Sequence, residues 1–274
     1  MRLDSLLAEL NPLLSGAEHE IIWLASHFLQ ISKSAVRQNR DYDVSPAQEQ
    51  QLRAAVACRL SGQPLQYITG VQPFWDFDLI VTPDVLIPRW DSETVIEQAL
   101  TLLPQGQKLE VCDVCTGSGA YALALKQERP QINITACDIS ESALNVARQN
   151  AAKYNLNIDF RQGNLLNALI PGTKFDLIVS NPPYIRNNAI LPADVRQEPA
   201  IALFGGTDGL DFYRRLAGTA GAYLNPGGYL LLETGADQKA AVSGLLQQHG
   251  FINITAGKDL AGYDRWVQGV WKGE

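Results

Sequence analysis

A run that reads as a buried strand, KFDLIVS (174–180), ends in Asn181-Pro182-Pro183-Tyr184. Each proline fixes its own φ and restricts the residue before it, so this strand end is rigid. Proline also lacks a backbone N–H. What the stretch offers is the carboxamide oxygen of Asn181, bare backbone carbonyls, and the flat face of Tyr184. Acceptors beside a stacking surface suit a planar NH₂ donor, either an amide or an exocyclic amine. Asn-Pro alone reads as a strand-ending turn capped by the asparagine. Chemistry is expected here because a second, glycine-rich stretch precedes it in the chain.

That second stretch is DVCTGSG (113–119), between a strand-like run and a helix-like run. Glycines at such a turn let the backbone approach a ligand and aim helix N–H groups at it. Asp138 follows about 20 residues later at the next strand end, where an acidic side chain can accept from both hydroxyls of a ribose. An adenosine-containing cofactor is the expectation. Gly117-Ser118-Gly119-Ala120-Tyr121-Ala122 also fits the dinucleotide fingerprint G-x-G-x-x-A, so the turn alone leaves NAD(P) and S-adenosylmethionine open, beside a tight turn that holds nothing. Cys112 and Cys115 form a C-x-x-C without a second ligand pair, and no metal is expected.

Several elements must position these residues. From residue 108 onward strands alternate with helices: strands at 109–114, 132–137, 157–162, 175–180, 228–233, 251–257 and 264–270, and helices near 119–128, 141–154, 209–223 and 236–249. Such alternation predicts a mostly parallel sheet covered on both faces. The short link between the last two strands predicts an antiparallel strand at or near the sheet edge. Before this lies a different texture. Residues 17–30 place Ile21, Leu24, Ala25, Phe28 and Leu29 at helical spacing, and a second helix opens at Ser45-Pro46 with Gln48 completing a capping box. The segment 65–81 is rich in β-branched and aromatic residues and reads as a β-hairpin linker. The expected domains are therefore a helical unit over 1–63, a hairpin and linker over 64–90, and a cofactor-binding domain over 91–274.

A chain of 274 residues gives a soft prior for two domains, and 46% hydrophobic with 19% charged residues is ordinary for a soluble protein. The net charge of −7 argues against a large basic surface for nucleic acid. No apolar run approaches the roughly 18 residues of a membrane span. The opening residues alternate charge with leucine and lack a signal-peptide core, and four cysteines without scaffold spacing read as reduced thiols, so a cytoplasmic protein is expected. The three histidines (His19, His27, His249) lie outside these motifs, and no conventional general base is evident.

Taken in order and spacing, GQPLQYITG (62–70), FWDFDLIVTPDVLIPR (74–89), DVCTGSGAYALAL (113–125), NPPYI (181–185) and EPAIALFGGTDGLDFYRRL (198–216) resemble one family. It is the protein-(glutamine-N5) methyltransferases that modify peptide chain release factors. The resemblance runs from about residue 60 to the end; the first sixty residues match only in being helical and of similar length. It implies a class I S-adenosylmethionine-dependent methyltransferase fold, a mostly parallel seven-stranded sheet with an antiparallel strand, preceded by the helical domain and hairpin linker. S-Adenosyl-L-methionine is the implied cofactor. Cys115, Thr116, Gly117, Ser118 and Gly119 would wrap its methionine part, Asp138 its ribose, and Asn164 with Leu165 its adenine. Asn181 would touch cofactor and substrate, and Asn181, Pro182, Pro183 and Tyr184 would hold the glutamine of a Gly-Gly-Gln loop, with Asn181, Pro182 and Tyr184 serving the chemistry. The implied partner is a release factor, bound by a monomer without direct nucleic-acid contact and with no membrane.

The sequence departs from the family pattern at three positions. Cys115 stands where the family has glycine, a place where a Cβ is tolerated at negative φ. Asn164 stands where aspartate is usual, and Trp90 where proline is usual. Arg89 is retained, either serving a loop over the pocket or pairing with a carboxylate. Two further readings remain open at this point: an amino-methyltransferase of nucleic acid, whose motif shares NPPY, and a non-catalytic binding protein on the same fold. A dehydrogenase lacks an acid or base near the strand ends.

Overall fold

The computed structural model describes residues 1–15, 17–38 and 41–273. The chain divides into two compact units, one of residues 1–71 with 191–197, the other of residues 72–190 with 198–274.

The first unit holds helices α1 (Leu3–Leu10), α2 (Glu18–Leu29), α3 (Lys33–Gln38), α4 (Pro46–Leu60) and α5 (Leu65–Thr69). Apolar residues at three- and four-residue spacing form its core: Leu3, Leu6 and Leu10 from α1, Ile21, Leu24, Ala25 and Leu29 from α2, and Leu52, Ala55 and Val56 from α4. Each large aliphatic side chain buried this way contributes roughly 1.5–3 kcal/mol. The capping box is present at α4. Ser45 Oγ accepts from the Gln48 N–H at 3.3 Å, and Gln48 Oε1 accepts from the Ser45 N–H at 3.1 Å. Residues 65–69, read as the start of the hairpin, are instead one helical turn. Thr69 Oγ1 donates back to Leu65 O at 3.0 Å, and Gly70, at φ +71°, ends the turn in the left-handed conformation only glycine adopts without cost.

The hairpin itself is β1 (Val71–Phe74) and β2 (Phe77–Ile80). After it come α6 (Glu93–Leu102), β3 (Glu110–Val114), α7 (Ala120–Glu128), β4 (Asn133–Asp138), α8 (Glu141–Lys153), β5 (Asp159–Gln162), β6 (Phe175–Ser180), α9 (Ala200–Leu203), α10 (Asp211–Ala220), β7 (Leu224–Glu233), α11 (Lys239–Gln248), β8 (Phe251–Lys258) and β9 (Asp264–Trp271). Seven strands form one sheet in the order β5-β4-β3-β6-β7-β9-β8, parallel except for β9, which runs antiparallel to both β7 and β8. The antiparallel strand is thus one place in from the edge.

Both faces of the sheet are buried, which explains why its central strands carry apolar residues on both sides. Val111, Leu177, Val179 and Leu231 face one core with α6, α7 and the hairpin's Phe74, Phe77 and Leu79. Cys112, Val114, Ile178, Leu230 and Leu232 face the other with α10 and α11. Register matters most for function. Val114 pairs with Cys137 and with Ser180, Asp138 with Gln162, and Ser180 with Leu232. The carboxyl ends of five adjacent strands therefore lie in one row. Among the described residues no helix is long and apolar enough to cross a membrane.

A candidate active site at the strand ends

Along that row stand the turn after β3, Asp138 ending β4, Asn164 after β5, Asn181 after β6 and Glu233 ending β7. All of these but Glu233 border a cavity of about 260 Å³. Cys115, Thr116, Gly117, Ser118, Asp138, Asn164, Leu165, Asn181 and Pro183 all line it. Gly119, Pro182 and Tyr184 stand behind its wall.

The turn is wound through alternating left-handed residues, with Cys115 at φ +62°, Gly117 at +55° and Gly119 at +85°. Cys115 therefore does not sit at the negative φ that would make a side chain easy there. The position demands the conformation glycine favours, and the cysteine holds it against that preference. At Gly117 nothing lies within 4 Å of where a Cβ would stand, so the turn leaves open space at the cavity. At Gly119 a Cβ would stand 2.6 Å from Leu123, so glycine is needed for close packing.

Asp138 is tied to the turn it faces. Its carboxylate accepts from the Gly117 N–H at 2.9 Å and the Ser140 N–H at 3.0 Å, leaving lone pairs for a ligand. Burial pushes its carboxyl upward, and these backbone donors oppose that push. Asp113, at the end of β3, accepts from Thr116 Oγ1 at 2.6 Å and the Ala122 N–H at 3.2 Å. Burial pushes its carboxyl up to about 7 in spite of them. Burial likewise pushes the Cys115 thiol up, with the charge of Asp138 adding to the effect. Cys112 lies against Cys137 on the neighbouring strand, and all four cysteines are free thiols.

Past Asp138, Arg215 donates to Asn164 Oδ1 at 2.6 Å and lies 5.7 Å over the ring of Phe212. Phe212, Arg215 and Ile201 line this end of the cavity, giving it an apolar, partly aromatic wall. Across the mouth runs the loop 82–89, of which Val85, Leu86 and Pro88 line the cavity. Arg89 pairs with Glu198, whose other oxygen accepts from the Ile87 N–H at 3.0 Å. Both sequence readings of Arg89 hold, because pairing with a carboxylate is how the loop is held. Trp90 is 59% exposed.

Sequence reading assigned no role to Asp113, Phe212 or Arg215, and noted Glu198 only as part of a segment near the active site. Phe212 and Arg215 are three apart on a helix, so their shared face was available from the period once the helix was placed. For Glu198 the missing part was its role, which is to hold Arg89 and the Ile87 N–H.

The strand order separates the two cofactors left open by the glycine turn. Dinucleotide-binding sheets run 3-2-1-4-5-6 in parallel; here the last strand inserts antiparallel between the fifth and sixth. Backbone N–H groups, an acidic strand end and an apolar wall share one cavity, a donor set that fits S-adenosylmethionine. The fold and site define a class I S-adenosylmethionine-dependent methyltransferase.

The comparisons narrow this further. Residues 94–198 match the family model for the methyltransferase small domain, and residues 4–70 that for the PrmC N-terminal domain. The chain is 41% identical to the release factor glutamine methyltransferase of Xylella fastidiosa (strain Temecula1) over 97% of its own length and 96% of that protein. It is 46% identical to that of Moorella thermoacetica over 81% and 80%. Among solved structures, a methyltransferase from Pyrococcus furiosus aligns with a TM-score of 0.55 at 20% identity, over 84% of this chain and 100% of that one. The chain belongs to the release factor glutamine methyltransferase family.

Proposed function

We propose that this protein transfers a methyl group from S-adenosylmethionine to the side-chain amide nitrogen of the glutamine in the Gly-Gly-Gln loop of a peptide chain release factor. The observation that carries this is the placement of Asn181 and Pro183 on the wall of the cavity that also holds the 115–119 turn and Asp138.

The turn Cys115–Gly119 wraps the methionine end of the cofactor, Asp138 accepts from the ribose hydroxyls, and Asn164 with Leu165 borders the adenine. When bound, S-adenosylmethionine supplies an electrophilic methyl on a sulfonium leaving group. An amide nitrogen is a weak nucleophile, because its lone pair is delocalised into the carbonyl. Asn181 Oδ1 and the Pro182 carbonyl accept its two N–H bonds. That draws electron density onto nitrogen and aims the lone pair at the methyl. Tyr184 gives the planar amide a face to lie on. In-line displacement then needs mainly positioning and electrostatic complementarity. The C–S bond would break as the N–C bond forms, the cofactor leaving as neutral S-adenosylhomocysteine, and the N–H proton shed by the methylated amide would pass to water; no side-chain base takes part in this scheme.

The N-terminal helical unit recognises the release factor. The protein works as a monomer in the cytoplasm without contacting nucleic acid; its negative net charge and free thiols support that reading. The test is mass spectrometry of a release factor from the same source after incubation with this protein and S-adenosylmethionine. One added methyl on the Gly-Gly-Gln glutamine is expected, and none with Asn181→Ala. Intact cofactor binding without any transferred methyl would sink the substrate assignment.

A further inference from the structure

Gln238 lies at the N-terminus of α11, outside every motif that the chemistry uses, and is 5% exposed. Both ends of its carboxamide are hydrogen-bonded inside the protein. Oε1 accepts from the Gly235 N–H at 3.0 Å and lies 3.4 Å from the Tyr213 hydroxyl, whose one proton goes to Glu233 O at 2.8 Å. Nε2 donates to Tyr184 O at 3.0 Å and to Gly209 O at 3.2 Å. One buried amide thus joins the turn after β7, helix α10, the glycine loop 205–209 and the last residue of Asn181–Tyr184.

The Tyr184–Ile185 peptide is held on both of its edges. Gln238 takes the carbonyl, and the Ile185 N–H donates to Leu203 O at 2.9 Å. The glycine loop leaves room for this arrangement and for nothing larger. A Cβ at Gly209 would stand 2.3 Å from Tyr184 O and 2.8 Å from Gln238 Nε2, and one at Gly205 would stand 2.4 Å from Pro183 O. At the other end, Ser180 is fixed in the sheet between Val114 and Leu232, and its hydroxyl donates to Val114 O at 2.6 Å. Between the two anchors lie two prolines whose φ angles are locked. A rigid segment pinned at both ends has little freedom to turn its acceptors.

We propose that Gln238 is a positioning residue for methyl transfer, which sets the orientation of the Asn181 and Pro182 acceptors by fixing the Tyr184–Ile185 peptide. This rests on the substrate reading above. Gln238 touches neither cofactor nor substrate, so removing its hydrogen bonds disturbs the aim of the nucleophile and leaves the cofactor cavity alone. Gln238→Met keeps the length of the side chain without the donors. Gly209→Ala attacks the same junction from the opposite side.

The experiment measures kcat and KM for an intact release factor, cofactor affinity by calorimetry, and the unfolding midpoint, for the wild type, both variants and Asn181→Ala. In both variants kcat falls about 10- to 100-fold, the scale of a misplacement remote from the reacting atoms. The KM for the release factor and the Kd for the cofactor stay within about threefold of wild type on the same argument. Wild-type kcat in Gln238→Met overturns the proposal while Asn181→Ala remains inactive and the substrate reading stands. Loss of cofactor binding in step with kcat, or failure of both variants to fold, also overturns it, since Gln238 would then be a plain structural residue. A wild-type protein that leaves the release factor unmodified removes the substrate reading and this proposal with it.

Discussion

Asp113 shows most sharply what burial does to a single residue in this site. It is 1% exposed, its carboxyl is pushed up to about 7 by burial, and Thr116 and Ala122 only partly offset that. An unfolded aspartate titrates near 3.9. The folded state therefore holds the proton more tightly. Stability from this group is fully present below about pH 4 and is lost as pH rises through about 7. A difference of about three units corresponds to as much as about 4 kcal/mol by pH 8. Asparagine at this position keeps an oxygen for both donors and never ionises. In urea unfolding at pH 5 and pH 8, Asp113→Asn is expected to be near neutral at the lower pH and stabilising at the higher one. An unchanged difference between wild type and variant across the two values would falsify the assignment of the titration to this residue.

The β3–α7 turn is the element where the sequence departs most from what its backbone asks. A non-glycine residue in the left-handed region costs roughly 1–2 kcal/mol, and Cys115 sits there at φ +62°. Cys115→Gly removes that cost but frees the unfolded chain, so a net gain of about 1 kcal/mol or less is expected, with cofactor affinity equal or higher. Chemical denaturation together with calorimetry checks both halves; a clear loss of stability would mean that the thiol's packing outweighs the strain. This turn was legible because its function is local: glycines, an acidic strand end and two prolines each declare a backbone requirement within a few residues. The strands were legible for the same reason, since 109–114 and 175–180 are short, mostly apolar runs rich in β-branched residues. What escaped depends on distant partners. Leu65–Thr69 has β-branched and aromatic side chains, yet Gly70 and burial of Leu65, Tyr67 and Thr69 make it a helix. β7 begins at Leu224, ahead of Pro226-Gly227-Gly228, which reads as a turn; Pro226 and Gly227 are exposed, and the register with β6 shifts between Phe175 and Leu177. Gln238 and Glu198 acquire their roles only when loops from elsewhere in the chain close around them.

At the scale of the whole molecule, charge bears on the choice between a protein substrate and a nucleic acid. An enzyme that grips RNA or DNA neutralises phosphates with lysine and arginine, and each phosphate engaged steepens the dependence of log K on log salt by about 0.7 to 0.9. This chain carries a net charge of −7. Several arginines on the methyltransferase unit are already engaged by carboxylates: Arg89 with Glu198, Arg265 with Asp259 and Asp91, Arg186 with Asp237, and Arg214 with Asp208 and Asp211. Offering these cations to phosphates would mean giving up these pairs, of which Arg89–Glu198 holds the loop beside the cavity. On the proposed protein-substrate reading, binding to a structured RNA is expected to be too weak to measure by fluorescence anisotropy at about 150 mM salt, and methylation of the release factor to change only modestly between about 50 and 200 mM. Tight RNA binding whose log K falls by three or more per decade of salt would bring back the nucleic-acid reading of the Asn-Pro-Pro-Tyr motif.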